Sequence, residues 1–224
     1  MPEDLGAWTP RARPERVVLD GRFVRIEPLE MRHLDGLFAE VSEVDTEAER
    51  RFTWLFETPP ASREELRAWL ERVVQSADPL FFAVIDKASG RVAGRQALMR
   101  IDQAFGVIEI GSIYWGPTIA RKPAATEALY LMARYVFDDL GYRRFEWKCN
   151  NENEPSKRAA LRFGFQAEGV FRQHMVVKGK SRDTAWFAMI DKDWPALRAR
   201  YEAWLDPANF DADGRQRRRL QDCR

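Results

Sequence analysis

The chain is poor in the residues that build metal centres and disulfide scaffolds. Its 224 residues include two cysteines, Cys149 and Cys223, and two histidines, His33 and His174. Two cysteines so far apart make neither a disulfide framework nor a CxxC metal motif. The histidines are also widely separated, so no metal site is expected. A reducing, cytoplasmic setting fits that cysteine usage. Long hydrophobic runs are missing too. No stretch approaches the length of a membrane-spanning helix, so no membrane partner is expected. The opening MPEDLGAWTPRARPE lacks the apolar core of a secretory signal. Neither charge sign dominates: 36 Lys and Arg oppose 35 Asp and Glu, for a formal net charge of +1. That balance gives no electrostatic reason to expect nucleic acid as a partner. What is present is ordinary globular material. Hydrophobic residues make up 45% of the chain, enough for a core, and the length suits one domain.

Residues 1–16 are polar and proline-rich and read as a mobile N-terminal segment. Residues 17–27 read as a strand containing an Asp20-Gly21 turn signal. From 31 to 44 the spacing of Leu34, Leu37, Phe38, Val41 and Val44 predicts a helix. Ser62 with Glu65 predicts the start of another helix through a capping box. Three strand-like runs follow at 80–86, 91–102 and 106–116. A long helix is predicted over 123–139 and ends near Gly141. Then come a strand over 143–150, a short helix over 154–163, two strands near 165–178 and 182–191, and a last helix over 193–205. This order predicts an α/β (α+β) fold with a mixed central sheet and helices on both faces. The domain is expected to span 17–205. The segment 206–224 reads as a polar, basic C-terminal tail, either a solvated end or a phosphate-binding arm.

The stretch IEIGSIYWGPTIARKPAATEALYLMARYVF carries the most chemistry. A strand runs into a loop and the loop into a helix start formed by Arg121, Lys122, Pro123, Ala124, Ala125 and Thr126. The first turn of a helix has unpaired N–H groups and partial positive charge. Small residues there let an anion approach the backbone, and Arg121 and Lys122 add full charges. The same residues also suit a plain helix start, because Pro favours the first helical position. Asn153 and Ser156 open the next short helix and suit capping. Glu109 lies on the strand before the loop. An apolar setting would raise its pKa toward the range of a general base, although a carboxylate paired with Arg or Lys is the other reading.

These elements resemble the GNAT superfamily, near its Rim-type branch, over roughly residues 17–192. The family's pyrophosphate loop, Q/R-x-x-G-x-G/A, is matched by Ala120-Arg121-Lys122-Pro123-Ala124-Ala125, with Thr126-Glu127-Ala128 behind it. Ala120 and Pro123 depart from that pattern. Asn151 to Ser156 followed by ALRFGFQAEG resembles the family's N-x-x-S…GF-x-x-EG segment. The resemblance implies a GNAT fold whose central sheet is mixed and mostly antiparallel, and transfer of acetyl from acetyl-CoA to a primary amine without a metal. It implies cofactor contacts at Ile113, Tyr114, Trp115, Arg121, Lys122, Ala124, Ala125, Thr126, Asn153 and Ser156. It implies Glu109 as base and Ser156 as acid, because Ala160 stands where many members have a catalytic tyrosine.

Around the acceptor the resemblance points to Trp54, His174, Arg182 and Asp183, with Phe56 and Trp69 in the same region. His174 also reads as a second base candidate or a surface strand histidine. Arg182 and Asp183 either meet a charged end of the acceptor or pair with each other. The resemblance implies a protein N-terminus or a small-molecule amine as acceptor, and a monomer or homodimer is expected. The departures at Ala120, Pro123 and Ala160 leave a second reading, a non-catalytic acyl-CoA-binding sensor or interaction module.

Overall fold

The computed structural model describes residues 4–223. Eight strands form one sheet. They are β1 (Leu19–Asp20), β2 (Val24–Pro28), β3 (Leu80–Asp86), β4 (Val92–Asp102), β5 (Val107–Trp115), β6 (Arg144–Asn150), β7 (Gln166–Val177) and β8 (Lys180–Ile190). Their spatial order is β1-β2-β3-β4-β5-β6-β8-β7. The pairing of β5 with β6 is parallel, and the other six pairings are antiparallel. The expected mixed, mostly antiparallel sheet is present. The Asp20-Gly21 signal splits the expected first strand into the hairpin of β1 and β2.

Helices cover both faces. α1 (Leu34–Ala39), α2 (Ala48–Phe52) and α3 (Arg63–Val73) pack on one side, while α4 (Pro123–Arg134), α5 (Glu154–Phe163) and α6 (Trp194–Leu205) pack on the other. Strand β3 shows why. Successive side chains on a strand point to opposite faces. Leu80, Phe82 and Val84 join the core under α4, and Phe81, Ala83 and Ile85 join the core under α1 and α3. A run apolar on both faces needs a layer on each. Ser62 caps α3 by accepting from the Glu65 N–H at 3.1 Å. The returning Glu65 carboxylate bonds the Ala61 N–H instead of the Ser62 N–H. Two π-helical turns extend helices, Glu40–Val44 after α1 and Tyr135–Asp139 after α4.

Both chain ends depart from expectation. The segment expected to be mobile is held against the sheet over its described residues, and residues 1–3 lie outside them. The Trp8 indole donates to Ala104 O at 2.8 Å, and Arg11 donates to Gln103 O and Gly141 O. The C-terminal segment is anchored as well. Leu220 and Cys223 are buried, and the Asn209 side chain bonds Trp204 O, Arg218 O and the Arg218 N–H. A few apolar residues among many charges suffice when they reach an open face of the core.

Glu127 fixes α4 to the β1–β2 hairpin. Its buried carboxylate accepts from the backbone N–H groups of Arg22, Phe23 and Val24 at 2.8, 2.6 and 2.8 Å. Gly21 leaves the space it needs, since a Cβ there would lie 2.5 Å from the carboxyl carbon. Removing this acceptor strands three donors. Glu127→Ala should lower unfolding stability by about 3 kcal/mol or more, read by denaturant titration. A loss below about 1 kcal/mol would show that the hairpin rearranges freely.

Candidate active site

The site begins where two strands part. β5 and β6 pair from Val107↔Arg144 to Ile110↔Trp147 and no further. Beyond that point β6 continues with β8 alone, through Lys148, Cys149 and Asn150. β5 continues with β4, but against Gln96 it spends two residues, Ser112 and Ile113. Ser112 sits at φ 49° in this bulge, and a bulge bends its strand and sharpens the twist. Arg95 braces it, donating to Ser112 O at 2.6 Å and Ser112 Oγ at 2.8 Å. Arg95 is buried and ion-paired with Glu57, and burial pulls its pKa down to about 9. The parting leaves one edge of residues 111–115 without a strand neighbour. It opens a groove of about 770 Å³.

The loop between β5 and α4 forms one end of this groove. Glu40, fully buried, accepts from the Thr118 N–H at 3.0 Å and the Thr118 hydroxyl at 2.7 Å. Gly116 makes room, since a Cβ there would stand 2.1 Å from Glu40 Oε1. Arg121 takes φ 62°, an uncommon conformation for a residue with a side chain and one that tends to occur at ligand sites. Pro123 occupies the first helical position, and Arg121, Lys122, Ala125 and Thr126 line the groove while Ala124 does not. Two of the expected backbone donors are spent internally. The Lys122 N–H bonds Ile119 O and the Ala125 N–H bonds Lys122 O.

Glu109 lies in the groove wall as the third residue of β5, between Met99 on β4 and Glu146 on β6. Its Oε2 is 3.2 Å from Arg100 Nε and 3.0 Å from Lys148 Nζ. Lys148 also pairs with Glu146 at 2.6 Å and sits 3.8 Å from the centre of the Trp186 ring. Burial pushes the Glu109 carboxyl above its ordinary pKa, and the two cations only partly oppose that. The group is thus both a paired buried carboxylate and one with raised proton affinity.

Ser156 and Asn153, at the start of α5, line the same groove as Glu109. Asn153 caps α5, accepting from the Ser156 N–H at 3.2 Å. The Ser156 hydroxyl accepts from the Trp147 indole at 2.9 Å and so keeps its own proton as a donor, which the neighbouring Cys149 sulfur can accept. Cys149 lies beside it, its thiol pKa raised by burial despite the Ser156 contact. Ala160 is buried in the core, and among the described residues no tyrosine lines the groove.

Trp54, Phe56, His174 and Arg182 line the groove at the end away from the loop. His174 Nδ1 lies 3.0 Å from Thr184 Oγ1. Partial burial lowers its pKa, and Arg100, Arg182 and Lys148 lower it further. Besides Ala124, three expectations need correction. Asp183 is outside the groove lining and accepts from the Gln173 N–H at 2.7 Å. It does not pair with Arg182, because adjacent residues on a strand point apart. Tyr114 turns its ring into the core under α1 and α3, where its hydroxyl bonds Asp45 at 3.0 Å, and it is outside the groove lining, paired with Arg95 on β4. Trp69 lines a second, smaller cavity of about 280 Å³ instead.

Sequence reading missed several groove residues. Arg162 from α5 donates to Thr126 Oγ1 at 3.0 Å, which places a half-buried cation at the start of α4. Phe210, Gly214, Arg215 and Gln216, from the segment after α6, close the same end. Their one signal was the phosphate-binding arm reading of a basic tail. α2 was also missed, and Arg51 from it reaches the opposite end.

With this geometry in view, the chain belongs to the GNAT family of acetyl-transferring enzymes. The model of the acetyltransferase (GNAT) domain matches residues 24–166. A crystal structure of a GCN5-related N-acetyltransferase from Brucella melitensis is 66% identical, covers 97% of this chain and 98% of its own, and superposes with a TM-score of 0.95. The uncharacterized N-acetyltransferase p20 of Bacillus licheniformis is 32% identical over 117 residues. That match spans 50% of this chain and 63% of p20, less than two thirds of the relative's length. The microcin C7 self-immunity acetyltransferase MccE, solved with acetyl-CoA and AMP, shares the fold at 20% identity and a TM-score of 0.66, over 76% of this chain and 93% of its own. Among the described residues no helix is long and apolar enough to cross a membrane.

The Glu40–Thr118 lock gives a test of the loop. Gly116→Ala forces a Cβ against a buried carboxylate and should weaken CoA binding roughly tenfold, read by calorimetry. Unchanged affinity would show that the loop does not depend on this lock.

Proposed function

We propose that the protein transfers acetyl from acetyl-CoA to a primary amine by direct attack in the groove between β5 and β6. The observation that carries this reading is the parted strand pair. It has an unpaired strand edge, a cationic helix start at one end and a carboxylate of raised pKa in the wall. An unpaired backbone edge needs a polar partner, and the amide-bearing arm of CoA supplies one beside Ile113 to Trp115. Arg121, Lys122 and Arg162, with N–H groups at the start of α4, suit the phosphates. MccE was solved with acetyl-CoA on this fold, which supports the same donor here.

Acetyl-CoA supplies an acyl group activated as a thioester. Glu109 takes a proton from the acceptor ammonium, directly or through water, and so frees the lone pair that attacks the carbonyl carbon. Strand N–H groups near Ile113 to Trp115 face the developing oxyanion. The Ser156 hydroxyl gives its proton to the departing thiolate, which leaves as free CoA, and the second proton shed by the new amide nitrogen returns to the serine oxygen. Trp147 keeps that hydroxyl oriented. Trp54 and His174 line the side from which the amine enters. Alignment of the two substrates in one groove supplies a further share of the rate.

Thiol release across an amine panel tests the reading, and Glu109→Gln tests the base. The variant should lose roughly 100-fold in kcat/KM at neutral pH with CoA affinity nearly intact. A base acts when ionised, so wild-type activity should fall as pH drops through the Glu109 pKa. That fall should lie above the ordinary carboxylate range and flatten in Glu109→Gln. An unaltered rate and pH profile would remove Glu109 from the mechanism.

A further inference from the structure

Arg182 is the unexplained cation of the groove. It lies on β8, opposite Met175 on β7, at the end where the acceptor enters in the reading above. The residue is 8% exposed, and its buried Nε has no hydrogen-bond partner. The Phe56 ring, 5.4 Å from its guanidinium carbon, covers it. The other cations at this end are spoken for. Arg51 pairs with Asp45 at 2.9 Å, Arg100 with Glu109 at 3.2 Å, and Lys148 with Glu109 and Glu146 at 3.0 and 2.6 Å. Among the described residues Glu109 is the one carboxylate lining the groove, and Arg182 has no carboxylate within ion-pair distance.

A guanidinium taken from water without a partner is costly, and structures rarely keep one without a use. Arg182 lies near enough to Glu109 and Cys149 for their charges to bear on its own ionisation. It therefore belongs to the reacting end of the groove. The phosphates of CoA are not its partner in this reading, because the helix start, Arg121, Lys122 and Arg162 stand at the other end. An acetyl group carries no charge for it to meet.

We propose that Arg182 binds a carboxylate carried by the acceptor, so that the preferred substrates are small amino acids whose carboxylate docks on Arg182 while the amine meets Glu109. The proposal rests on the transferase reading for the amine, but the anion site is a property of Arg182 alone. A planar guanidinium holds a carboxylate through two parallel hydrogen bonds, and it fixes orientation as well as affinity.

The test uses ω-amino acids of increasing chain length, each beside its neutral amide, with acetyl-CoA as donor and thiol release as readout. At the matching length the acid should exceed its amide by about 10- to 100-fold in kcat/KM. In Arg182→Met that ratio should fall toward one, and Arg182→Lys, which keeps the charge but loses the fork, should retain part of it. Melting temperatures with CoA bound verify that both variants are folded. Equal rates for acid and amide at every length in the wild-type protein overturn the assignment. So does a ratio that Arg182→Met leaves unchanged. A donor arm compares succinyl-CoA with acetyl-CoA on a neutral amine. If Arg182→Met abolishes a preference for succinyl-CoA, the carboxylate belongs to the acyl chain and the acceptor assignment is overturned. Absence of thiol release with every amine sinks the transferase reading instead. Calorimetric titration of the same amino acids into the CoA-saturated protein then decides the site. Binding lost in Arg182→Met supports it, and no binding to the wild-type protein overturns it.

Discussion

The separation of β5 from β6 after Ile110 and Trp147 is the constraint on which the site depends. A sheet that stayed paired along its whole length would have no groove. The bulge at Ser112 bends β5 away, and the buried Arg95 holds the bulge by bonding Ser112 O and Oγ. Arg95 in turn is held by Glu57 and by the Trp69 ring, 4.5 Å from its guanidinium carbon. The helical layer under α3 thus braces the opening on the opposite face of the sheet. Both layers are required: one supplies the brace, and the other supplies α4 and α5, whose starts line the groove.

The electrostatics of the groove follow from which cations are neutralised within the fold. At the reacting end, Lys148 and Arg100 flank Glu109, and burial still raises its proton affinity. In the proposed mechanism that balance keeps the base close to its ammonium substrate without leaving it a strong, solvent-exposed anion. At the loop end, Arg162 rests between the Phe163 and Trp204 rings, 5.3 Å from each, and meets only the Thr126 hydroxyl. Arg182 has no carboxylate within ion-pair distance, and Glu109 acts on it only from farther off. Two incompletely satisfied guanidinium groups are what the proposed reading pairs with negative charge on the two substrates. The near-zero net charge of the whole chain conceals this local excess.

Much of the architecture was legible because it is written in local periodicity. The apolar runs of β3 to β5 place their strands within a residue or two of the observed bounds, and the helical spacing behind Pro123 does so for α4 once its π-helical turn Tyr135–Asp139 is included. Alternation along a strand also contained two facts the reading did not use. Tyr114, between Ile113 and Trp115, had to face the opposite core, and Asp183 had to point away from Arg182. The rest was not local. Arg100, Lys148 and Glu146 reach Glu109 from neighbouring strands, and only the register of the sheet brings them together. Phe210 to Gln216 look like a solvated tail until Leu220 and Cys223 are seen in the core. Arg162 reads as an ordinary helix charge until α5 lies beside the start of α4.

The central claim is that the unpaired edge of β5 is completed by the arm of acetyl-CoA. Amide hydrogen exchange with and without acetyl-CoA tests it most directly. The account predicts slowed exchange centred on residues 111–115 and on the loop and first turn at 121–126, with β3 unchanged. Slowing confined to other segments, or none at saturating acetyl-CoA, would contradict it.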